Sequence, residues 1–195
     1  MKKAAMFGLD ARIALAIFGA LSVISGAALY SAIQQAKITA IITEVNELGK
    51  AIAQYYLDTG SLPPHSSSNS SRDLSGAALK AAPSGVSDWN GPYYPFTTAS
   101  SEIFKSSQGY NITIPYREDA TWASSSAGTC RTTSASCYVY IWMNIADASI
   151  KQALEEEIDG NKTTAAENLE GNFRYYSSGC MIKLDIHYNP ALAAT

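Results

Sequence analysis

From Ile13 to Leu29 the chain carries no charged residue, and this run constrains what it can become more than any other feature. Crossing a bilayer takes ~20 mostly apolar residues. Tyr30, Ser31, Ala32 and Ile33 extend the run to that length, which predicts a membrane span over residues 13–33. Lys2, Lys3 and Arg12 all precede it, so the basic-side rule places the N-terminus inside and the remainder outside.

Three readings of this segment compete. A secretory signal would be cut near Ser25-Gly26-Ala27, but such signals have apolar cores of ~7–15 residues, and Asp10 and Arg12 interrupt the front of this one. A simple uncleaved anchor is the second. In the third a peptidase cuts between Gly8 and Leu9 on the cytoplasmic side, removing residues 1–8 as a leader and keeping the apolar helix. The residues beyond the span favour a retained helix. Ile38, Ile41, Ile42, Val45, Leu48, Ile52, Tyr55 and Tyr56 recur at spacings of three and four, with Gln34, Lys37, Glu44, Glu47, Lys50 and Gln54 on the other faces. No proline occurs before Pro63 to break the helix, and Gly60 with Pro63-Pro64 stops it. One helix over residues 9–59 is expected, roughly 75 Å long at ~1.5 Å per residue, its first half in lipid and its second half needing an apolar cover.

Charge and composition narrow the function. The formal net charge is −3, and no run of five basic residues occurs, so the footprint of a general nucleic-acid binder is missing. Cys130, Cys137 and Cys180 form no CxxC or zinc spacing. Outside the cytoplasm, one disulfide and one leftover thiol is the natural reading. Cys130 and Cys137, enclosing a short polar loop, are the preferred pair; in a reducing compartment three buried thiols would be expected. His65 and His187 belong to no metal motif, and neither a nucleophile elbow nor a phosphate-binding glycine loop is present. Glu155-Glu156-Glu157 reads as a solvated helix face. No catalytic residue, cofactor or metal is expected.

The segment Tyr55-Tyr56-Leu57-Asp58-Thr59-Gly60-Ser61-Leu62-Pro63 resembles the Y-x-L-D-[TN]-G-x-x-P element closing the long helix of type IV pilins and type II secretion pseudopilins. Leu74, Ala78-Leu79, Pro83 and Trp89-Asn90-Gly91-Pro92-Tyr93 resemble the following W-x-G-P-Y loop in the same order. The resemblance covers Met1 to about Tyr94 and implies a filament subunit, not an enzyme. It further implies cleavage by a prepilin peptidase after Gly8, methylation of Leu9, residence in the bacterial inner membrane with the domain facing the periplasm, and self-assembly by pilus or secretion machinery into a filament. A minor pilin and a non-polymerising, membrane-anchored binding module are the alternatives. The chain departs from the family in two ways. Ile13 stands where a glutamate is usual, leaving Asp10 and Arg12 as the charges near the membrane end; pairing between subunits and simple solvation at the headgroups are both open. The C-terminal half does not follow the calcium-binding end of major pseudopilins, so no metal site is carried over.

Residues 60–109 are expected to form a helix-to-sheet loop region, and 110–195 a sheet region with a short helix near 146–158. Four strands are predicted: Tyr110 to Pro115, Tyr138 to Asn144, Phe173 to Ser177 and Met181 to Tyr188. In the last, Ile182, Leu184, Ile186 and Tyr188 should line one face against Lys183, Asp185 and His187, after a hairpin at Ser178-Gly179. Ser66 to Ser71 and Ser124 to Ser126 read as exposed connectors. The fold class is α+β: a long N-terminal helix, transmembrane in its first half, packed against an antiparallel sheet of about four strands, as in pilins.

Overall fold

The structure, a computed structural model, describes residues 4–65, 73–95, 97–98, 103–118, 130, 137–160, 171–176 and 178–188. Both serine-rich connectors, Lys2 and Lys3 lie outside them. The chain divides into two compact units, Met1–Thr39 and Ala40–Thr195.

The long helix, α1, runs from Ala4 to Thr59 without interruption. It begins five residues ahead of the expected start at Leu9, because Ala4, Ala5, Met6 and Phe7 include no helix breaker and Gly8 alone does not stop a helix. In the first unit α1 is the only element described; it exposes its large apolar side chains from Ile13 to Ile33, and Ile38 near its end is buried. In the second unit Ile41, Val45, Leu48, Ile52 and Tyr55 are buried at alternating spacings of four and three, as the stripe predicts. Two stripe positions differ: Ile42 is half-buried and Tyr56 is exposed, while Ala51, outside the expected stripe, is buried beside Leu48 and Ile52. Gly60, at φ 72°, caps the helix with its amide on the Tyr56 carbonyl at 2.9 Å. Only glycine holds that left-handed backbone without strain.

Among the described residues, seven short-to-medium strands make one antiparallel sheet, more than the four expected. They are β1 (Thr97–Thr98), β2 (Phe104–Lys105), β3 (Asn111–Thr113), β4 (Tyr116–Glu118), β5 (Cys137–Met143), β6 (Phe173–Tyr176) and β7 (Gly179–Tyr188). The order is β1-β2-β3-β5-β7-β6, with β4 also paired to β5. β1 and β2 fall within the region expected to be loop, and two residues are too short to show a period of two. Along the edge of β5 where the sequence predicts one strand, Tyr110 to Pro115, the structure has two. Pro115, which has no amide to donate, interrupts the ladder between β3 and β4, while its carbonyl still accepts the Tyr140 amide at 2.9 Å. Ile112 opposite Met143 and Tyr116 opposite Val139 keep one register on both sides of the break. In the β6–β7 hairpin Tyr176 already pairs with Gly179, so that glycine is strand, not turn.

The sheet is apolar on both faces. Val139, Ile141 and Met143 are fully buried on one face of β5, in register with Ile182 and Cys180 of β7 and Phe173 of β6. This face covers the second half of α1: a Cβ at Gly49 would lie 3.6 Å from Leu184. Burying such side chains is worth ~1.5–3 kcal/mol each, which is what holds the second half of α1 to the sheet. On the other face, Tyr140 and Met181 are buried with Tyr138 and Trp142 against them, and Lys183 Nζ lies 3.8 Å from the Tyr138 ring centroid. The expected alternation in β7 holds over 182–186, Met181 being buried on the opposite face; the side chains of His187 and Tyr188 lie outside the described residues.

A short helix, α2 (Ala77–Lys80), buries Ala78 and Leu79. The helix expected near 146–158 is α3 (Ala148–Asp159), started by the Asp147 carboxylate accepting the Ser149 amide at 2.8 Å and ended by Gly160 at φ 76°. Glu155 departs from the expected solvated acidic face. It sits one position after Leu154 on the turn that faces the sheet and is buried, whereas Glu156 and Glu157 are exposed.

Candidate functional site

Two regions concentrate features that packing of the domain does not by itself require: the apolar N-terminal run of α1 and the junction where α1 ends.

Along the first, apolar side chains face outward on every side. Leu15 and Phe18 are each 70% exposed and Val23 is 74% exposed. Ile17, Leu21, Ile24, Leu29 and Tyr30 are exposed as well. By length and composition the helix is able to cross a membrane. Two of its polar side chains bond back onto the helix. The Ser22 hydroxyl donates to the Phe18 carbonyl at 2.8 Å, and Gln34 donates to the Tyr30 hydroxyl at 2.9 Å where the run ends. A Cβ added at Gly19 or Gly26 would meet nothing within 4 Å, so a second helix can approach closely there. Gly8 and Leu9 lie within continuous helix, and Gly8 is exposed. Asp10 and Arg12 are both exposed, and neither belongs to an ion pair among the described residues.

The second region gathers residues of segments 55–63 and 89–93. Tyr93 is its centre. The Tyr93 hydroxyl donates to the Asp58 carboxylate at 2.8 Å and accepts the Asn90 amide at 2.9 Å. Its ring meets Tyr55 and Trp89 edge-on, each at 5.6 Å between centroids. Trp89 Nε1 donates to the Ala78 carbonyl at 2.9 Å, and the Tyr93 amide donates to the Leu79 carbonyl at 2.8 Å, which ties the loop to α2. Gly91 is needed between them: a Cβ there would overlap the rings of Trp89 and Tyr93. Burial, together with the hydrogen bond to Asp58 and its charge, pushes the Tyr93 phenol above its ordinary value. Two motif segments far apart in the chain are thus one physical object, a clamp on the last turns of α1.

Beside the clamp, Glu47, Lys50, Gln54 and Asp58 of α1 face Asn90, Pro92, Tyr93 and Tyr94 across an open groove of about 730 Å³. Burial, then the nearby charges of Glu44 and Glu47, push the Tyr94 phenol up to about 12. The Glu44 carboxylate accepts the Ser107 amide at 3.0 Å and so fixes the β2–β3 turn onto α1. That contact is not legible in the sequence, where Glu44 reads only as a polar-face residue. Gly76 is likewise silent there, yet a Cβ at that position would fall inside the Phe104 ring.

Cys130 and Cys137 are joined in a disulfide, with their Cα atoms 5.9 Å apart. Cys180 is a free, buried thiol that desolvation pushes up to about 12, partly opposed by Lys151. His65 is exposed, its backbone bridged to Leu74 and its ring 6.0 Å from that of Tyr116. Among the described residues no three of histidine, cysteine, aspartate and glutamate gather as metal ligands would. Set beside models of known families, curated proteins and solved structures, the chain matches none.

Proposed function

We propose that the chain is a structural subunit of a type IV pilus or pseudopilus-like filament, held in the inner membrane by its N-terminal helix and polymerised through it. The observation that carries this reading is the helix itself. One uninterrupted α1 exposes an apolar run able to span a bilayer, and its later turns are buried beneath a sheet. A removable signal needs no such continuity. A rod shared between membrane and domain suits a subunit that must leave lipid and bury its span among other copies. The residues resembling the pilin motifs support the same reading, because Tyr55, Asp58, Trp89, Gly91 and Tyr93 meet in one clamp that fixes the domain on the helix.

In this reading a prepilin peptidase cuts between Gly8 and Leu9, Leu9 becomes the methylated N-terminus, and the domain faces the periplasm or, once assembled, the outside. The disulfide suits that compartment. The role is structural, not enzymatic, with pilus or secretion machinery and further copies of the chain as partners. A non-polymerising, membrane-anchored binding module is the second reading, favoured by the groove beside Tyr93 and Tyr94. Two measurements decide. Intact mass of the mature chain is expected to place the N-terminus at Leu9, and a start at Met1 or near Ala28 overturns the proposal. Electron microscopy of sheared surface material, labelled for this chain, is expected to show decorated filaments; chains that never crosslink through their spans favour the binding module.

A further inference from the structure

Between α1, the end of α3 and β7 lies a cavity of about 160 Å³. Its apolar wall is Ile42 and Val45 of α1, Ile158 of α3, and Ile182 and Leu184 of β7. Sites for small-molecule ligands usually take ~300–1,000 Å³, so this one is too small. An apolar space of ~150 Å³ holds one benzene-sized group, and the cavity is matched to a single apolar side chain. Ile42 and Ile158 are only half-buried, which leaves apolar surface there for an incoming group to cover.

Leu57 supplies such a group. At 75% it is the most exposed large apolar side chain among the described residues, and in the second unit only Tyr56 joins it in being exposed. It follows the fully buried Leu48 by nine residues, which turns it ~180° around the helix, away from the sheet. Leu57 cannot fill the cavity of its own chain. Residues 42 and 45 lie twelve to fifteen positions earlier on the same helix, ~20 Å along its axis.

We propose that Leu57 of one copy enters this cavity in the next copy, and that the contact sets an axial offset of ~20 Å between them. The proposal rests on the polymerisation reading above. Knob and cavity share α1, so sliding one copy along another brings them level. Antiparallel copies would fill both cavities at once and close as a dimer. A common membrane topology excludes that arrangement, because every span enters the bilayer in the same sense. Parallel copies make a heterologous contact: the copy whose cavity is filled still presents its own Leu57, so association propagates. Covering one leucine does not meet the cost of bringing free chains together. Where spans already hold copies side by side, it is enough to select one offset among many.

Crosslinking of the full chain in its own membrane tests this. Ser61→Cys places a thiol four residues beyond Leu57, and Asn46→Cys places one at the cavity, both at exposed positions. On one chain the two lie ~22 Å apart along the helix direction, too far for a short thiol crosslinker. The native cysteines do not compete, since Cys130 and Cys137 are bonded and Cys180 is buried. Chains with both substitutions are expected to give a ladder extending beyond dimer, and chains with either one alone to stay monomeric. Adding Leu57→Ala should weaken the ladder by about tenfold or more, the scale of returning a leucine side chain to water. Leu57→Met, which keeps size and apolarity, should retain it. The thermal melt of the domain should not move in Leu57→Ala, because the side chain is exposed. A ladder that ends at dimer, or one that Leu57→Ala leaves unchanged, would overturn the proposal. Filaments seen by electron microscopy without a 61–46 crosslink would overturn it while leaving polymerisation intact. Absence of both filaments and crosslinks would remove polymerisation and this contact together.

Discussion

Gly60 and Asp58 close α1 by unlike means, one through backbone conformation and the other through a side chain that reaches the 89–93 loop. At φ 72°, Gly60 has open space around it, so a methyl group meets no neighbour but strains the backbone. Gly60→Ala is expected to destabilise the domain by about 1 kcal/mol, read as a lower unfolding temperature of the full chain in detergent. Gly91 is the converse: the space is taken by Trp89 and Tyr93, and the constraint is steric. Cys180 yields a prediction about pH. Its folded thiol is pushed from 9.0 up to about 12, and the Tyr94 phenol from 10.0 up to about 12. Both groups are acids held neutral by burial, so the unfolded chain ionises them first. Their stabilising contribution is complete below pH 9 and is lost as pH rises towards 12. Thermal melts across that window should show a declining midpoint. At about pH 8, below the range in which the thiol ionises, an alkylating agent should leave Cys180 unmodified until the domain unfolds. The motif residues were legible one by one because glycine, proline and tryptophan are conformationally specific; Glu44 and Gly76 were not, because their roles lie wholly in what folding brings to them.

Among the elements, α1 was the most readable part of the chain. Its apolar period and its stop at Gly60 are local properties, and Ile41, Val45, Leu48, Ile52 and Tyr55 are buried as that period requires. The two ends of the helix should answer differently to the same chemistry. Leu48→Ala removes a fully buried side chain and is expected to cost about 2–5 kcal/mol of domain stability. Leu15→Ala removes one that is 70% exposed and should leave domain unfolding unchanged, because its side chain adds nothing to the domain core. A thermal melt followed by tyrosine and tryptophan fluorescence compares the two. The sheet was legible only in its longer strands. β5 and β7 announce themselves by length and β-branched or aromatic content, whereas β1 and β2 exist only because β3 gives them something to pair with. The break at Pro115 was visible as a residue but not as a consequence, since whether proline ends a strand or interrupts it depends on what continues beyond.

For the molecule as a whole, the division at residue 39–40 separates the N-terminal part of α1, with its exposed apolar run, from a domain with its own core. A chain beginning at Gln35 is expected to be soluble, folded and monomeric, with its disulfide intact, and to have lost membrane association. Circular dichroism and sedimentation equilibrium check this, and a fragment that aggregates or fails to melt cooperatively would show that the core is incomplete without the earlier turns.

The order of amino acids is enough to establish that the chain has one helix able to enter a membrane, where that helix stops, and that its second half must be covered. These follow from side-chain chemistry repeated along a single helix, which needs no distant partner to be read. The same order carries the motif residues, though not the fact that they touch. Folding in three dimensions settled the number and order of the strands, the register kept across Pro115, the burial of Glu155, and the clamp in which Asp58, Trp89 and Tyr93 meet. Each of these depends on contacts between residues far apart in the chain, and local periodicity holds no information about which distant segments will share a surface.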